Sequence, residues 1–275
     1  MLALKILRHL LLDAALFTLL WFFLIHGRRR LRQWPILTQY RYAHRGLHGP
    51  GAPENSLAAF RLAAGAGYGA ELDVHLTRDG RLAVLHDSSL CRVCGADGIV
   101  EELTSAELNG FRLCGTEEKI PFLEEVLPIF AGRAPLLIEI KPRHNAAVLT
   151  ETVCRLLDGY RGDFCVESFH PGVLFWLRRH RPDVIRGQLA RNFLRDRARL
   201  DPVSAFLLTN LCLNFLSKPD FIAYRFSDRR VLSLCLCRKL FGLREFSWTI
   251  TSPAQQHEAE RDAATVIFEG YLPET

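Results

Sequence analysis

The chain opens on an unbroken apolar run and then changes period. Leu10–Ile25, LLLDAALFTLLWFFLI, holds one charge, Asp13, in 16 residues. As a helix at ~1.5 Å per residue the run spans roughly 24 Å, slightly short of a hydrocarbon core. The preceding turn extends it to about 6–26, with Lys5 and Arg8 free to snorkel outward. Its apolar residues cover every face, unlike a helix lying flat in the interface. It ends in HGRRRLRQW rather than a small-residue cleavage site, which favours an uncleaved anchor over a signal peptide. Residues 1–34 thus read as a membrane anchor with a basic flank, and 35–275 as the domain it carries.

Beyond Trp34 short apolar runs alternate with helical patterns. Strands are expected at Tyr42–His44, Ala70–Val74, Leu82–His86, Leu136–Ile140, Phe164–Ser168, Val184–Leu189, Asp220–Tyr224, Glu245–Ile250 and Thr265–Phe268. Leu57, Phe60 and Ala64 are expected on one helix face, as are Val148, Thr152 and Leu156, and Asn55 or Ser56 supplies an N-cap. Strand–helix alternation implies a parallel sheet, and eight or so units imply a (β/α)8 TIM barrel. Nine runs compete for eight places. Part of the surplus is explained by ELDVHLTRDGRLAVLHD, whose Thr77-Arg78-Asp79-Gly80 reads as a hairpin turn. An open doubly wound sheet is the alternative, but the chain has no Gly-rich phosphate loop. Residues 87–121 read as a turn-rich insertion with one short helix, TSAELNGF. VSAFLLTNLCLNFL, Val203–Leu216, is too short to span a bilayer; it reads as a buried barrel helix or as a second membrane contact.

Charge and cysteines refine this picture. The net charge is +5, and the excess concentrates at Arg28, Arg29, Arg30 and Arg32, a membrane-flanking cluster rather than a nucleic-acid surface. Against Lys5 and Arg8 on the other side, it puts the C-terminal domain in the cytoplasm. Of eight cysteines, Cys154, Cys165, Cys212, Cys235 and Cys237 sit in apolar runs, as reduced, buried thiols do. Cys91-Arg-Val-Cys94 has no second pair at zinc-site spacing.

Polar residues gather at strand ends, where a barrel builds its active site. The first strand ends in His44-Arg45, the second carries Glu71 and Asp73, the hairpin return ends in His86-Asp87, and LLIEIKP carries Glu139 and Lys141. Residues two apart in a strand share a face. Glu71 and Asp73 therefore project together, as do Glu139 and Lys141. Three carboxylates converging on one mouth resist joint ionisation, and a hard divalent cation relieves the conflict; oxygen ligands favour Mg²⁺ or Ca²⁺. His48, His75, His144, His170 and His180 lack such company.

These residues resemble the glycerophosphodiester phosphodiesterases. AHRG with PENS, ELDVHLTRDGRLAVLHD, LTSAELNGF, IPFLEEVL, LLIEIKP, VESFHP and FSWTI follow in the family's order from residue 42 to about 250. The resemblance implies His44 and His86 as the acid/base pair, a divalent cation on Glu71, Asp73 and Glu139, and Arg45 and Lys141 on the phosphate. Glu54 and Trp248 are the pocket candidates. The implied reaction converts a glycerophosphodiester to glycerol-3-phosphate and an alcohol. The anchor suggests an alternative, a lysophospholipase D acting on membrane lysolipids. A catalytically silent headgroup-binding barrel is a third possibility; the intact residue set speaks against it. Two departures stand out. CRVCG replaces a more polar turn, and the last strand reads VIFEGYLPE where the family usually has a Thr-Asp-like pair before Pro. Glu269 is expected on the rim farthest from the candidate catalytic groups.

Overall fold

The computed structural model describes residues 1–28, 34–196 and 200–273. Eight parallel strands close into a barrel: β1 (Tyr42–Ala43), β2 (Gly69–Leu76), β4 (Leu136–Ile140), β5 (Phe164–Ser168), β6 (Arg186–Ala190), β7 (Phe221–Arg225), β8 (Arg244–Ile250) and β9 (Thr265–Phe268). β1 pairs with both β9 and β2, which completes the ring. β3 (Leu82–Val84) runs antiparallel to β2 and stands outside it. The turn between them is closed by Thr77 N–H on the Arg81 carbonyl at 2.9 Å. All nine expected strands are present, and the architecture is the (β/α)8 barrel.

In chain order the helices are α1 (Leu2–Ile25), α2 (Trp34–Thr38), α3 (Leu57–Gly65), α4 (Cys91–Cys94), α5 (Ser105–Leu108), α6 (Leu123–Phe130), α7 (Ala146–Leu157), α8 (Pro171–His180), α9 (Pro202–Thr209), α10 (Asn214–Ser217), α11 (Leu232–Lys239) and α12 (Pro253–Arg261). Ser56, not Asn55, caps α3, accepting from Ala59 N–H. α7 buries Leu149, Val153 and Leu157 rather than Val148, Thr152 and Leu156. The buried face lies one residue on, because it presents three large apolar side chains where the expected face carries a Thr. The insertion holds two short helices, α4 and α5, rather than one, around its own cluster of Leu90, Val93, Val100, Leu108 and Ile120.

Val203–Leu216 is neither one helix nor fully buried. It breaks into α9 and α10 and exposes Val203, Phe206 and Leu216. The free cysteines Cys154, Cys165, Cys212 and Cys237 are buried, and Cys235 is half-buried.

α1 is long and apolar enough to cross a membrane by length and composition. Its last turn packs on the barrel. Ile25 is fully buried among Ala190, Ile222, Tyr224, Leu234, Cys237 and Leu243. Arg28 N–H bonds the Pro219 carbonyl at 2.7 Å. Arg29, Arg30 and Arg32 lie outside the described residues.

Candidate active site

Strand register builds the site. Asp73 aligns with Glu139 across β2 and β4, and Glu139 aligns with Glu167 across β4 and β5. Glu71 lies two residues before Asp73, on the same face. Glu71, Asp73 and Glu139 each bring one oxygen to within 4.8 Å of the others, all buried. Lys141 Nζ reaches Asp73 Oδ1 at 3.0 Å and Glu139 Oε2 at 3.3 Å. Arg45 follows β1; its backbone N–H donates to Glu71 at 2.9 Å, and its guanidinium pairs with Glu54 at 2.9 Å and approaches Asp73 at 3.7 Å.

The loop after β1 has demanding geometry. Arg45 and Asn55 both have φ of 56°. Asn55 is enclosed and donates through Nδ2 to Asp73 Oδ2 at 2.8 Å. At Gly46 (φ +80°) a Cβ would stand 2.9 Å from the Ala59 side chain, so glycine alone fits.

Four buried carboxylates, Glu71, Asp73, Glu139 and Glu167, face two cations, Arg45 and Lys141. Burial first, and the crowded negative charge second, shape their acidities. Burial, then Asp73 and Glu139, pushes the Glu71 carboxyl well up. Glu139 is pushed up to about 8, chiefly by burial, with Asp73 adding and Lys141 opposing. Glu167 is also raised well up by burial and by Glu139. Burial opposes ionisation of Asp73 too, but Lys141, then His86 and Arg45, outweigh it and hold this carboxyl below its usual range. A divalent cation would balance the two surplus charges, and an all-oxygen donor set suits Mg²⁺ or Ca²⁺. The residues fit such an ion.

Both candidate histidines carry a carboxylate on Nδ1. His86 Nδ1 lies 2.7 Å from Asp87 Oδ1, and His44 Nδ1 lies 2.5 Å from Glu269 Oε2. His44 Nε2 is 3.9 Å from Glu71. Burial lowers the His86 pKa, with Lys141 and Arg45 adding and Asp73 opposing. His44 holds the Glu269 carboxyl down at about 2. The position of Glu269 corrects the expectation from sequence. In a closed barrel β9 is the neighbour of β1, so the last strand's end lies on His44 rather than across the rim.

Glu54 and Trp248 both reach the site. Glu54 binds Arg92 of α4 through both oxygens, at 2.7 and 2.8 Å, and Arg92 also reaches Asp87 at 2.5 Å. A chain His86–Asp87–Arg92–Glu54–Arg45 thus ties the CRVC segment to the mouth. Trp248 lines a cavity of about 800 Å³ together with His44, His86, Glu139 and Lys141. Its Nε1 is buried without a hydrogen-bond partner among the described residues. Sequence reasoning missed Glu167, Asn55, Glu269 and Arg92. Strand alternation in VESF was a signal for Glu167; nothing local marked Arg92. His75 is structural: it bonds Glu101 at 2.8 Å and the His86 carbonyl at 3.2 Å. His170 caps α8.

A family model described as the glycerophosphoryl diester phosphodiesterase family matches residues 44–266. A glycerophosphodiester phosphodiesterase of Bacillus altitudinis is 35% identical over 155 residues, covering 52% of this chain and 63% of that protein. A lysophospholipase D of Rattus norvegicus is 34% identical over 151 residues, covering 50% of this chain and 46% of that protein. The chain therefore spans less than two thirds of the length of either. Among solved structures, an Oleispira antarctica phosphodiesterase in complex with sn-glycerol-3-phosphate superposes with a TM-score of 0.68, covering 83% of this chain and 92% of that one at 22% identity. It shares the fold.

Proposed function

We propose that this chain, which belongs to the glycerophosphoryl diester phosphodiesterase family, hydrolyses glycerophosphodiesters to glycerol-3-phosphate and a free alcohol. The observation that carries the reading is the coincidence, in one cavity, of two carboxylate-held histidines with a carboxylate cluster and two cations. Glu71, Asp73 and Glu139 would hold a divalent cation, which when bound neutralises charge on the phosphodiester as a Lewis acid.

The chain's own residues take the other roles. Arg45 and Lys141 hold phosphate oxygens and offset the charge that grows in the transition state. His44 and His86 share the proton work. One removes the proton of the attacking hydroxyl, of water or of the glycerol C2, and the other protonates the departing alkoxide; attack by the C2 hydroxyl gives a cyclic phosphate that water then opens to glycerol-3-phosphate. Glu269 and Asp87 occupy the Nδ1 positions and leave each Nε2 for the substrate. Glu54 holds Arg45 in place, and Trp248 offers an N–H and an apolar wall. His44→Ala and His86→Ala are expected to abolish turnover while far-UV circular dichroism and thermal unfolding stay as in the wild type. Near-normal turnover in either variant would overturn the acid/base assignment.

A second substrate class has its own support. A groove of about 580 Å³ adjoins the cavity at His86, Glu139 and Lys141, and Phe169, Phe193, Leu200 and Leu208 give it apolar walls. Such walls suit the acyl chain of a lysophospholipid. Leu208→Asp is expected to reduce turnover of lysophosphatidylcholine but not of glycerophosphocholine; equal loss on both would remove this reading. Residues 1–34 serve as a single-pass anchor and 35–275 as the catalytic domain, with 87–121 inserted. The arginines after α1 put the barrel on the cytoplasmic side.

A further inference from the structure

α1 meets the barrel without slack. The Ile25 carbonyl accepts from Asn214 Nδ2 at 2.9 Å and from Cys237 Sγ at 3.4 Å. Lys218 Nζ bonds the His26 ring at 3.0 Å and its carbonyl at 3.1 Å. A Cβ on Gly27 would stand 2.7 Å from both the Leu243 side chain and the Pro219 carbonyl, so the chain passes here only as glycine. Rings lock the last turn: Phe22 and His26 meet Phe241 at 6.0 and 5.1 Å, and Phe23 meets Phe215 at 5.5 Å. The described side chains from Leu2 to Leu20, by contrast, are all exposed. At ~1.5 Å per residue that free length is about 28 Å, close to the ~30 Å of a hydrocarbon core.

The docking site has an apolar rim. Leu216 follows Phe215 and is 39% exposed, and Leu240 precedes Phe241 and is 55% exposed. Phe206, also exposed, stands beside Leu207, which packs against the cluster around Ile25. Arg28, Arg178, Lys218 and Lys239 lie among or beside these residues, and Arg178 holds the Phe215 and Leu216 carbonyls. Apolar tips among cations suit an anionic leaflet.

We propose that α9, α10 and the end of α11 form a bilayer-contact surface: α1 clamps the barrel to the membrane it crosses, pressing Phe206, Leu216 and Leu240 into the headgroup region. The proposal rests on reading α1 as a span. A span whose exposed length already matches the hydrocarbon leaves no linker, so the docked flank must meet the lipid surface. The surface also bears on substrate access, since Leu208 of α9 lines the apolar groove while Leu207 faces α1's docking site.

Photocrosslinking tests this without relying on activity. The full chain carries p-benzoylphenylalanine in place of Phe206, Leu216 or Leu240. Controls place it at Leu12 in α1 and at Leu62, an exposed residue of α3. Each protein is reconstituted into phosphatidylcholine–phosphatidylglycerol vesicles and irradiated, and unchanged turnover of soluble glycerophosphocholine certifies the fold. Lipid adducts at Leu216, Leu240 and Phe206, several-fold above Leu62, are expected. Adducts at Leu12 alone would show a tether and overturn the clamp. Adducts nowhere would overturn it through the span. In either case turnover of the soluble diester would leave the proposed activity intact, whereas its absence in the unsubstituted chain would count against that activity alone.

Discussion

Glu269→Gln is the most informative single substitution, because the residue touches a candidate catalytic group from the far end of the chain. Its carboxylate lies 2.5 Å from His44 Nδ1. A hydrogen bond to a charged group contributes ~1.5–3 kcal/mol. The Glu269 side chain is 36% exposed, so water competes and the lower end applies. About 1.5 kcal/mol corresponds to roughly a tenfold change in rate. The carboxylate orients the imidazole for proton transfer, so the loss should fall on kcat, with KM nearly unchanged. Release of glycerol-3-phosphate at saturating and limiting substrate separates the two. Stability gives a second readout. His44 holds the Glu269 carboxyl down at about 2, below the ~4.3 of an unfolded chain. Its stabilising contribution is therefore present in full above the unfolded value and is lost as pH falls toward 2. Wild type and Glu269→Gln should differ in thermal unfolding at neutral pH and converge at strongly acidic pH. An unchanged kcat, or a stability difference that persists in strong acid, would refute the role given to Glu269.

Other substitutions probe other contacts. Arg92→Ala breaks the links to Glu54 and Asp87, but its side chain is 48% exposed, so stability should change by no more than ~1 kcal/mol; kcat should fall several-fold through His86 positioning, and an unchanged kcat would detach the insertion from the site. Lys141→Met leaves Glu139 without its cation and Asp73 with only Arg45 and Asn55. It should cost ~3–5 kcal/mol of unfolding free energy in chelator, with part regained on adding Mg²⁺ or Ca²⁺; a thermal shift indifferent to both metals would speak against the carboxylate cluster as their site. Gly27→Val forces a side chain onto the Pro219 carbonyl and should destabilise the full chain by ~1–3 kcal/mol, a loss that calorimetry in detergent would detect.

The elements legible in the sequence were those whose signal is local. Alternation and turn residues located every strand, and two-residue spacing brought Glu71 with Asp73 and Glu139 with Lys141 to one face. What escaped depends on closure and on long-range packing. Glu269 meets His44 because β9 lies beside β1, a relation between chain ends that no local pattern carries. Arg92 reaches Glu54 only after the insertion folds back over the mouth. Val203–Leu216 looked like one buried helix by composition, yet the Leu211 turn breaks it (φ 58°) and α1 fills the space beside it. The buried stripe of α7 lies one residue from the expected face because apolar side chains occupy more than one face of that helix. Asn55 read as a cap, but its enclosed side chain orients Asp73.

Metal-dependent hydrolysis by this barrel is tested by turnover of the purified full chain in detergent. Glycerophosphocholine and lysophosphatidylcholine are supplied in turn, with Mg²⁺ or Ca²⁺ and with chelator, and glycerol-3-phosphate and choline are quantified. Release of glycerol-3-phosphate and choline from glycerophosphocholine is expected, abolished by chelator and restored by a divalent cation. Binding of these substrates with no turnover under any metal would contradict it, and would make the barrel a headgroup-binding module instead.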